Sequence, residues 1–231
     1  MLNANNASEL LAALAELDIT VPRRSDGRTK SHTERYAVAH LISALVEAEI
    51  IHYPMNISQR ERPDFLLSMA EIQIGIEHTE AVPENEAHKT FLREKGGGSG
   101  VHYMSRNRPG EPKKQAKELI EEIERNDAGD GWGGDTVERE WAAAMFYFVE
   151  QKVRKLLSNG FERFEQDWLL IYDNWSLPAL DRHEAAQFLL NIVNNSTALE
   201  NFDYIFVLTG KYVCDISAEG LYFYSINDVW N

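Results

Sequence analysis

The feature that most constrains the fold of this chain is an alternating run of apolar and polar residues that ends at Glu77. Ile72, Ile74 and Ile76 are separated by single residues. Because successive side chains of a β-strand point to opposite faces, the three isoleucines share one face. Glu77 then belongs to the other face, where Gly75 removes bulk and permits a close approach. The run predicts a strand with one buried face and a carboxylate on the other.

A second strand-like run lies directly before this one and carries its own carboxylate. Asp64 opens the run 64–69, and only Ala70 and Glu71 separate it from the isoleucines. A connection this short is typical of a hairpin between antiparallel strands, so we expect Asp64 and Glu77 to lie close together. Two neighbouring carboxylates repel, and a shared proton or a bound divalent cation relieves the repulsion. We favour a divalent cation.

The order of Pro63, Asp64 and, on the next strand, Glu77 resembles the PD-(D/E)XK phosphodiesterase superfamily, which includes many restriction-type and repair nucleases. In that superfamily the Asp after Pro and the Glu of the next strand hold Mg²⁺, and a Lys two residues later positions the attacking water. The resemblance implies a restriction-endonuclease-like fold, binding of Mg²⁺ or Mn²⁺ as cofactor by Asp64 and Glu77, and a nucleic acid substrate.

One position departs from that motif. Thr79 stands where the resemblance implies a Lys, and a threonine can neither carry positive charge nor stabilise a developing anion. A basic group from elsewhere in the chain would have to replace the missing lysine. Lysines on a long helix also have a structural explanation, because their aliphatic stems cover apolar surface. The candidates are Lys152 and Lys155 on a later helix, and Arg60 and Arg62 just before the motif.

Glu34 is a candidate third carboxylate. Thr33 is a typical N-cap residue, and the apolar spacing after it predicts a helix over 34–48. In the first turn of that helix Glu34 would compensate the helix dipole, which is a structural role. The resemblance implies a second role, as a metal ligand, because superfamily members often carry an acid on the helix before the strands.

The remaining patterns predict an α/β fold. The order helix, three-strand meander, helix, strand, helix, strand agrees with a restriction-endonuclease-like core. The predicted elements are a helix over 8–17 capped by Ser8, the helix 34–48, strands over 50–54, 64–69 and 71–77, a helix over 137–157 stopped by Asn159 and Gly160, a strand over 168–172, a helix over 179–193, a strand over 204–208 and a hairpin over 211–226.

We predict a single domain over 1–231 with an inserted segment, 81–135, that could form a lid over the substrate. A connection this long is usually functional or mobile. It contains a charged helix near 111–125 and the glycine-rich stretch 96–100, which lacks the residue order of a phosphate-binding loop. Trp132, in a second glycine-rich loop, could stack on a base.

Charge limits the function classes. The 231 residues carry a formal net charge of −14, which argues against a protein that coats nucleic acid nonspecifically. Positive charge is concentrated in the segments 23–30 and 106–117, which could steer a polyanion or could simply be solvated loops. The lone cysteine, Cys214, lies in an apolar run and is expected to be packed rather than reactive.

No apolar run approaches the roughly 20 residues that span a bilayer, so we expect no membrane partner and a cytoplasmic protein. The leading hypothesis is a metal-dependent phosphodiesterase, a nuclease acting on DNA or RNA. The alternative is a catalytically inactive protein of the same fold that acts as a binding or regulatory partner, which the acidic charge and Thr79 would suit.

Overall fold

The strands of this protein form one sheet in which their order along the chain is also their order in space. The computed structural model describes residues 1–96, 102–104, 106–127, 131–158 and 162–230. Within these residues there are eight strands and six α-helices. The strands are β1 (Leu2–Ala4), β2 (Met55–Gln59), β3 (Phe65–Met69), β4 (Ile72–Ala81), β5 (Gln166–Asp173), β6 (Tyr204–Thr209), β7 (Tyr212–Ser217) and β8 (Gly220–Ser225). The helices are α1 (Ala7–Ala15), α2 (Lys30–Glu47), α3 (Glu84–Lys95), α4 (Ala116–Arg125), α5 (Thr136–Leu156) and α6 (Arg182–Asn194).

The sheet is mixed, and its parallel pairs lie in the middle. β4 pairs with β5 and β5 with β6 in parallel, whereas all the other neighbours are antiparallel. Parallel neighbours need a crossover connection, and α5 and α6 supply the two that this order requires. The predicted α/β class is therefore confirmed.

Two helical layers cover the sheet and separate its core into two halves. Ile74, Ile76 and Trp168 point to the face on which α1 and α2 pack. Leu169 and Ile171 point to the opposite face, where they are buried against α5 and α6. The alternation along β4 and β5 thus supplies apolar side chains to both faces of the sheet.

The predicted β3–β4 hairpin is present. The register runs from Phe65 opposite Ile76 to Met69 opposite Ile72, and Ala70 at the turn has a positive φ of 50°. The C-terminal hairpin is present as well, as β7 and β8. These hairpins were predictable because their turns are short and their strands alternate cleanly.

The predicted strand over 50–54 is wrong, because the strand here is Met55–Gln59. Ile51 is buried in the core but lies outside the sheet, and Pro54, which follows a cis peptide bond, has no N–H to donate to a ladder. Met55 and Ile57 are the buried positions of the strand.

The predicted start of the second helix is also wrong. α2 begins at Lys30 with Thr29 as its N-cap, and the Thr29 N–H donates to His32 Nδ1 at 3.0 Å. Glu34 therefore lies in the second turn, where a carboxylate no longer compensates the helix dipole as the first-turn position would. The sequence signal was missed because His32 takes the position that Glu or Gln usually holds in a capping box.

Other helix boundaries shift by a few residues. Asn6, and not Ser8, caps α1 by accepting from the Glu9 N–H, and Asp181 caps α6, which begins at Arg182 rather than 179. α5 matches its prediction within one residue at each end, whereas the stop proposed at Asn159 and Gly160 lies outside the described residues.

The inserted segment contains α3 and α4, which contact each other through an ion pair of 2.5 Å between Lys89 and Glu122. The charged helix begins at Ala116 rather than near 111. The glycines at 97, 98 and 100 lie outside the described residues. None of the helices in the described ranges is both long and apolar enough to span a bilayer.

Candidate active site

Asp64 and Glu77 lie opposite each other on neighbouring strands. Asp64 directly precedes β3, and continuing the register of Phe65 and Ile76 by one residue sets it opposite Glu77. The backbone N–H of His78 donates to Asp64 Oδ2 at 2.7 Å and fixes that carboxylate. Both residues are 2% exposed. The local hairpin therefore brings together the two carboxylates that the sequence singled out.

Lysines from α5 reach these carboxylates. Lys152 Nζ lies 2.6 Å from Glu77 Oε2 and 3.4 Å from Asp64 Oδ2, so that one ammonium contacts both acids. Lys155 Nζ lies 2.9 Å from the same Glu77 oxygen. Residues three apart on a helix share a face, which explains why both lysines point to β4.

Glu34 joins the group through a third lysine. Lys30 Nζ lies 2.6 Å from Glu34 Oε1 and 2.6 Å from Asp64 Oδ1. Gln59 donates to the other Glu34 oxygen at 2.8 Å. Three carboxylates and three ammoniums thus form what we call the carboxylate–lysine cluster: Glu34, Asp64, Glu77, Lys30, Lys152 and Lys155.

The cluster holds Asp64 in its ionised form. Burial raises the pKa of this carboxyl, but the charge of Lys152 and the hydrogen bonds from Lys30 and the His78 N–H outweigh it and set the pKa at about 2. Burial lowers the pKa of Lys30, yet its hydrogen bonds to Asp64 and Glu34 raise it above the ordinary value. The lysines, and not a proton shared between the acids, therefore relieve the repulsion between Asp64 and Glu77.

His78 lies beside the cluster and is uncharged at neutral pH. Burial lowers its pKa to about 3. Neither of its ring nitrogens has a hydrogen-bond partner among the described residues. Because the side chain is buried on the face opposite Glu77, it contributes its backbone N–H to Asp64 rather than a titrating ring.

A cavity of about 390 Å³ opens in front of the cluster. Five of its lining side chains are basic and one, Glu80, is acidic, although the whole protein is strongly negative. Thr79, which holds the place of the motif lysine, also lines this cavity. The basic lining residues are Arg24, Arg28, Lys30, Lys152 and Lys155. A cavity of this charge favours an anionic ligand.

Two carboxylates of the cluster present their oxygens in the arrangement that a divalent metal with two protein ligands would need. The Asp64 and Glu77 oxygens converge on a single cation, the Lys152 ammonium, and Glu77 Oε1 is buried with no hydrogen-bond partner among the described residues. Within the part of the chain that the structure describes, no group of three or more His, Cys, Asp or Glu is arranged to hold a metal, so Glu34 does not complete a three-ligand set. Mg²⁺ is commonly bound by one or two carboxylates, with waters and substrate phosphate completing its shell.

The side chains of other candidates from the sequence make their contacts outside the cluster. Arg60 pairs with Glu162 at 3.4 Å and lies over the Phe164 ring. Trp132 donates from Nε1 to Glu140 at 3.0 Å, and the Arg106 guanidinium lies 4.8 Å from its ring centre. Cys214 is buried in the core as expected.

Sequence reasoning did not identify Lys30, Arg24 or Arg28 as site residues, although all three lie in the basic segment 23–30. Placing Lys30 required the true start of α2. Placing the arginines required their contacts with Glu80, whose Oε1 accepts from Arg24 Nη2 at 2.6 Å and Arg28 Nη2 at 2.7 Å. The clustering of positive charge was the available signal.

Known proteins offer no assignment for this site. No protein family model matches the chain, and neither a curated protein nor a solved structure matches it. The geometry of the cluster and the residues that resemble the PD-(D/E)XK motif are therefore the two indications of function.

Proposed function

We propose that this protein is a metal-dependent phosphodiesterase that cleaves DNA or RNA. The observation that carries the proposal is the contact of one partly buried ammonium, Lys152, with the two carboxylates of the β3–β4 hairpin, Asp64 and Glu77. The strand pair supplies the acidic oxygens, and α5 supplies the basic group that Thr79 cannot. A lysine on the following helix would thereby take over the role of the strand lysine in the motif.

The order of elements around the cluster supports a restriction-endonuclease-like core. α2, the meander β2–β3–β4, α5, β5, α6 and β6 follow one another as the resemblance implies, and β4 and β5 are parallel on either side of α5. In this proposal β1, β7 and β8 extend the sheet at its two edges. The inserted segment 81–135 joins the active-site strand to α5.

Asp64 and Glu77 would hold Mg²⁺ or Mn²⁺, which when bound lowers the pKa of a ligated water and neutralises phosphate oxygens. The chain's own residues have separate tasks. The His78 N–H orients the Asp64 carboxylate, and Lys30 balances its charge. Lys155 is 42% exposed and lines the cavity, so its ammonium can donate to a phosphoryl oxygen as negative charge develops there.

The proposal is tested by metal-dependent stability and cleavage measured on the same samples. We expect Mg²⁺ or Mn²⁺ to raise the unfolding midpoint of the native protein, because bound metal adds about 2.7 kcal/mol to the free energy of unfolding when the metal is at a hundred times its Kd. The same metals should support cleavage of plasmid DNA or RNA. Asp64→Asn and Glu77→Gln should abolish both effects.

Glu150→Gln is the matched control, because Glu150 is a half-exposed glutamate on α5 that pairs only loosely, at 3.6 Å, with Arg154. It should retain metal stabilisation and cleavage. Metal stabilisation without cleavage of either nucleic acid would direct the search to other phosphodiesters. Native-like behaviour of both site variants would contradict the proposal.

The closed charge balance of the cluster favours a second candidate, a catalytically inactive protein that uses the same fold for binding. Three ammoniums neutralise three carboxylates without any added ion. On this alternative the cluster is structural, so Mg²⁺ would leave the midpoint unchanged and no nucleic acid would be cleaved, while Glu77→Gln would still destabilise the fold. The metal titration separates the two candidates.

A further inference from the structure

A second cavity, of about 280 Å³, adjoins the first and shares Arg24 and Arg28 with it. It lies beyond the carboxyl ends of two parallel strands, because Val82 follows β4 and the segment 174–176 follows β5. In open α/β sheets, ligands bind in crevices outside the carboxyl ends of the strands. The position therefore suits a ligand. The two shared arginines lie between this cavity and the cavity in front of the carboxylate–lysine cluster.

The charge of this cavity is positive. Three arginines line it, Arg24, Arg28 and Arg93, with side chains that are only 12% to 19% exposed, and Glu86 is the acid among the lining residues. Arg93 Nη1 approaches Glu86 at 3.3 Å. A guanidinium offers five N–H donors in a planar fork that suits phosphate oxygens. We call this the arginine cavity.

Several buried polar nitrogens around the arginine cavity lack partners. Arg28 Nε, Arg93 Nε and both ring nitrogens of His102 are buried and have no hydrogen-bond partner among the described residues. Buried polar atoms are normally paired, so three such side chains around one cavity are unusual. The two guanidinium nitrogens are N–H donors, and a neutral imidazole offers one donor and one acceptor. A ligand with several oxygens, such as a phosphate group, would satisfy these donors.

The mouth of the arginine cavity is apolar and exposed. Tyr103 and Met104 line it and are 54% and 43% exposed, whereas Trp175 forms a buried wall at 5% exposure. An exposed aromatic ring beside an anion site provides a surface on which a nucleobase can stack. Phosphate-binding donors and a stacking surface within one cavity match the two parts of a nucleotide.

We propose that the arginine cavity binds a phosphate group of the substrate strand, adjacent to the phosphodiester that is cleaved at Asp64 and Glu77. The identity of the ligand as a nucleic acid strand rests on the proposed function, whereas the anion site itself does not. The phosphate is either a terminal monoester or an internal diester, since both present the same oxygens to Arg28, Arg93 and His102. Arg93 and His102 position the strand and take no part in the chemical step.

The first experiment measures binding of inorganic phosphate to the full chain by calorimetry. We expect Arg93→Gln and His102→Ala each to weaken phosphate binding about tenfold, since each removes a charged or strong donor from a buried anion site. Arg154→Gln is the matched control, because Arg154 lies on α5 with a 67% exposed side chain. It should bind phosphate as the native protein does. Thermal unfolding of each variant verifies that it is folded.

The second experiment compares cleavage of oligonucleotides with a 5′-phosphate, a 3′-phosphate or neither. If the ligand is a terminal phosphate, the oligonucleotide that lacks this phosphate should have a higher KM for the native protein. For Arg93→Gln, the loss of the terminal phosphate should leave KM unchanged. An internal phosphate predicts that Arg93→Gln raises KM equally for all three. In both cases kcat should stay within about twofold of native, because the lost contact acts on binding.

These measurements separate failure of this inference from failure of the proposed function. Asp64→Asn should lose cleavage and keep phosphate binding. If phosphate binding depends on Arg93 and His102 while no nucleic acid is cleaved, the anion site stands and the nuclease proposal fails. If the native protein does not bind phosphate, or if folded Arg93→Gln and His102→Ala bind it as tightly as the control, the arginine cavity is not an anion site.

Discussion

Two aspartates of this protein, the buried Asp64 and the partly buried Asp173, are held by opposite kinds of partner. Asp64 is held by the ammoniums of Lys30 and Lys152 and by a backbone N–H. Asp173, at the end of β5, accepts from Trp141 Nε1 and Thr209 Oγ1, both at 2.8 Å. The pKa of Asp64 is lowered to about 2, whereas burial raises the pKa of Asp173 although its hydrogen bonds oppose the shift.

The two carboxyls differ in whether their partners carry charge. A carboxylate balanced by ammoniums keeps its negative charge, which cation binding requires. A carboxyl that accepts from an indole and a hydroxyl has neutral partners, and burial disfavours its charge. The opposite pKa directions follow from this difference, and the proposed metal site uses the carboxylate that stays ionised.

The largest expected difference is in catalysis. Asp64→Asn should lower kcat/KM for nucleic acid cleavage in Mg²⁺ at least about a hundredfold, because changes even to the outer partners of a metal ligand cost about 10- to 100-fold. Asp173→Asn should retain activity within about threefold of native. Initial rates taken well below both unfolding midpoints measure this. Equal losses of activity in the two variants would contradict the different roles assigned to Asp64 and Asp173.

Stability should depend strongly on the α5 lysines as a pair. Lys152→Met combined with Lys155→Met leaves Glu77, 3% exposed, without its two ammoniums, and we expect a loss of about 3–5 kcal/mol in the free energy of unfolding. Lys155→Met alone should cost far less, since Lys152 remains. Urea unfolding measures both, with Arg154→Met as the control on the same helix. A double variant as stable as the control would show that Glu77 needs no counter-charge.

The two aspartates should give opposite pH dependences. The native pKa of Asp64 is about 2 against an ordinary 3.8, so its contribution to stability is present above pH 4 and is lost as the pH falls toward 2. Asp173 has a raised native pKa, so its contribution is present below about pH 4 and is lost as the pH rises through the native value. Between pH 4 and 2, the free energy of unfolding should fall by up to about 2 kcal/mol less for Asp64→Asn than for the native protein. Urea unfolding across this range measures the slopes, and slopes of equal sign for the two groups would contradict the assignment.

The smallest expected effect is at the neutral partners of Asp173. Thr209→Val keeps the shape of the side chain but removes the hydroxyl that donates to Asp173 and accepts from Arg182 Nε at 3.0 Å. We expect a loss of about 1–2 kcal/mol in the free energy of unfolding and unchanged metal binding. Chemical denaturation and the metal titration measure the two quantities. A variant that loses its response to Mg²⁺ would link Asp173 to the site after all.

The acidic pair was predictable from sequence because its geometry is local. A two-residue connection and an alternating strand fix the register of Asp64 and Glu77, so few alternatives exist. The helical spacing of Lys152 and Lys155 placed them on one face of α5, but only the parallel crossover from β4 to β5 directs that face to Glu77. The sequence could name the lysines as candidates and could not choose among the basic residues.

The remaining site residues were missed because they depend on distant segments. Lys30 reaches Asp64 only because α2 begins four residues earlier than its apolar pattern suggested, with His32 in its N-terminal cap. The arginine cavity combines residues from α3, from the segments 24–28 and 102–104 and from the end of β5. No local periodicity relates such segments, so burial and unpaired donors become visible only in the folded chain.

The distance along the chain between Glu77 and its lysines has a consequence for synthesis. Asp64 and Glu77 are 13 residues apart and meet across a hairpin, and Lys30 has already been made when they do. Glu77 obtains its partners only when α5 emerges, 75 residues later for Lys152 and 78 for Lys155. Because chains are made from the N-terminus, the nascent strand carries a carboxylate without its balancing charge. Until α5 docks, water solvates this carboxylate, so Glu77 loses its hydration and gains its lysines in the same step of folding.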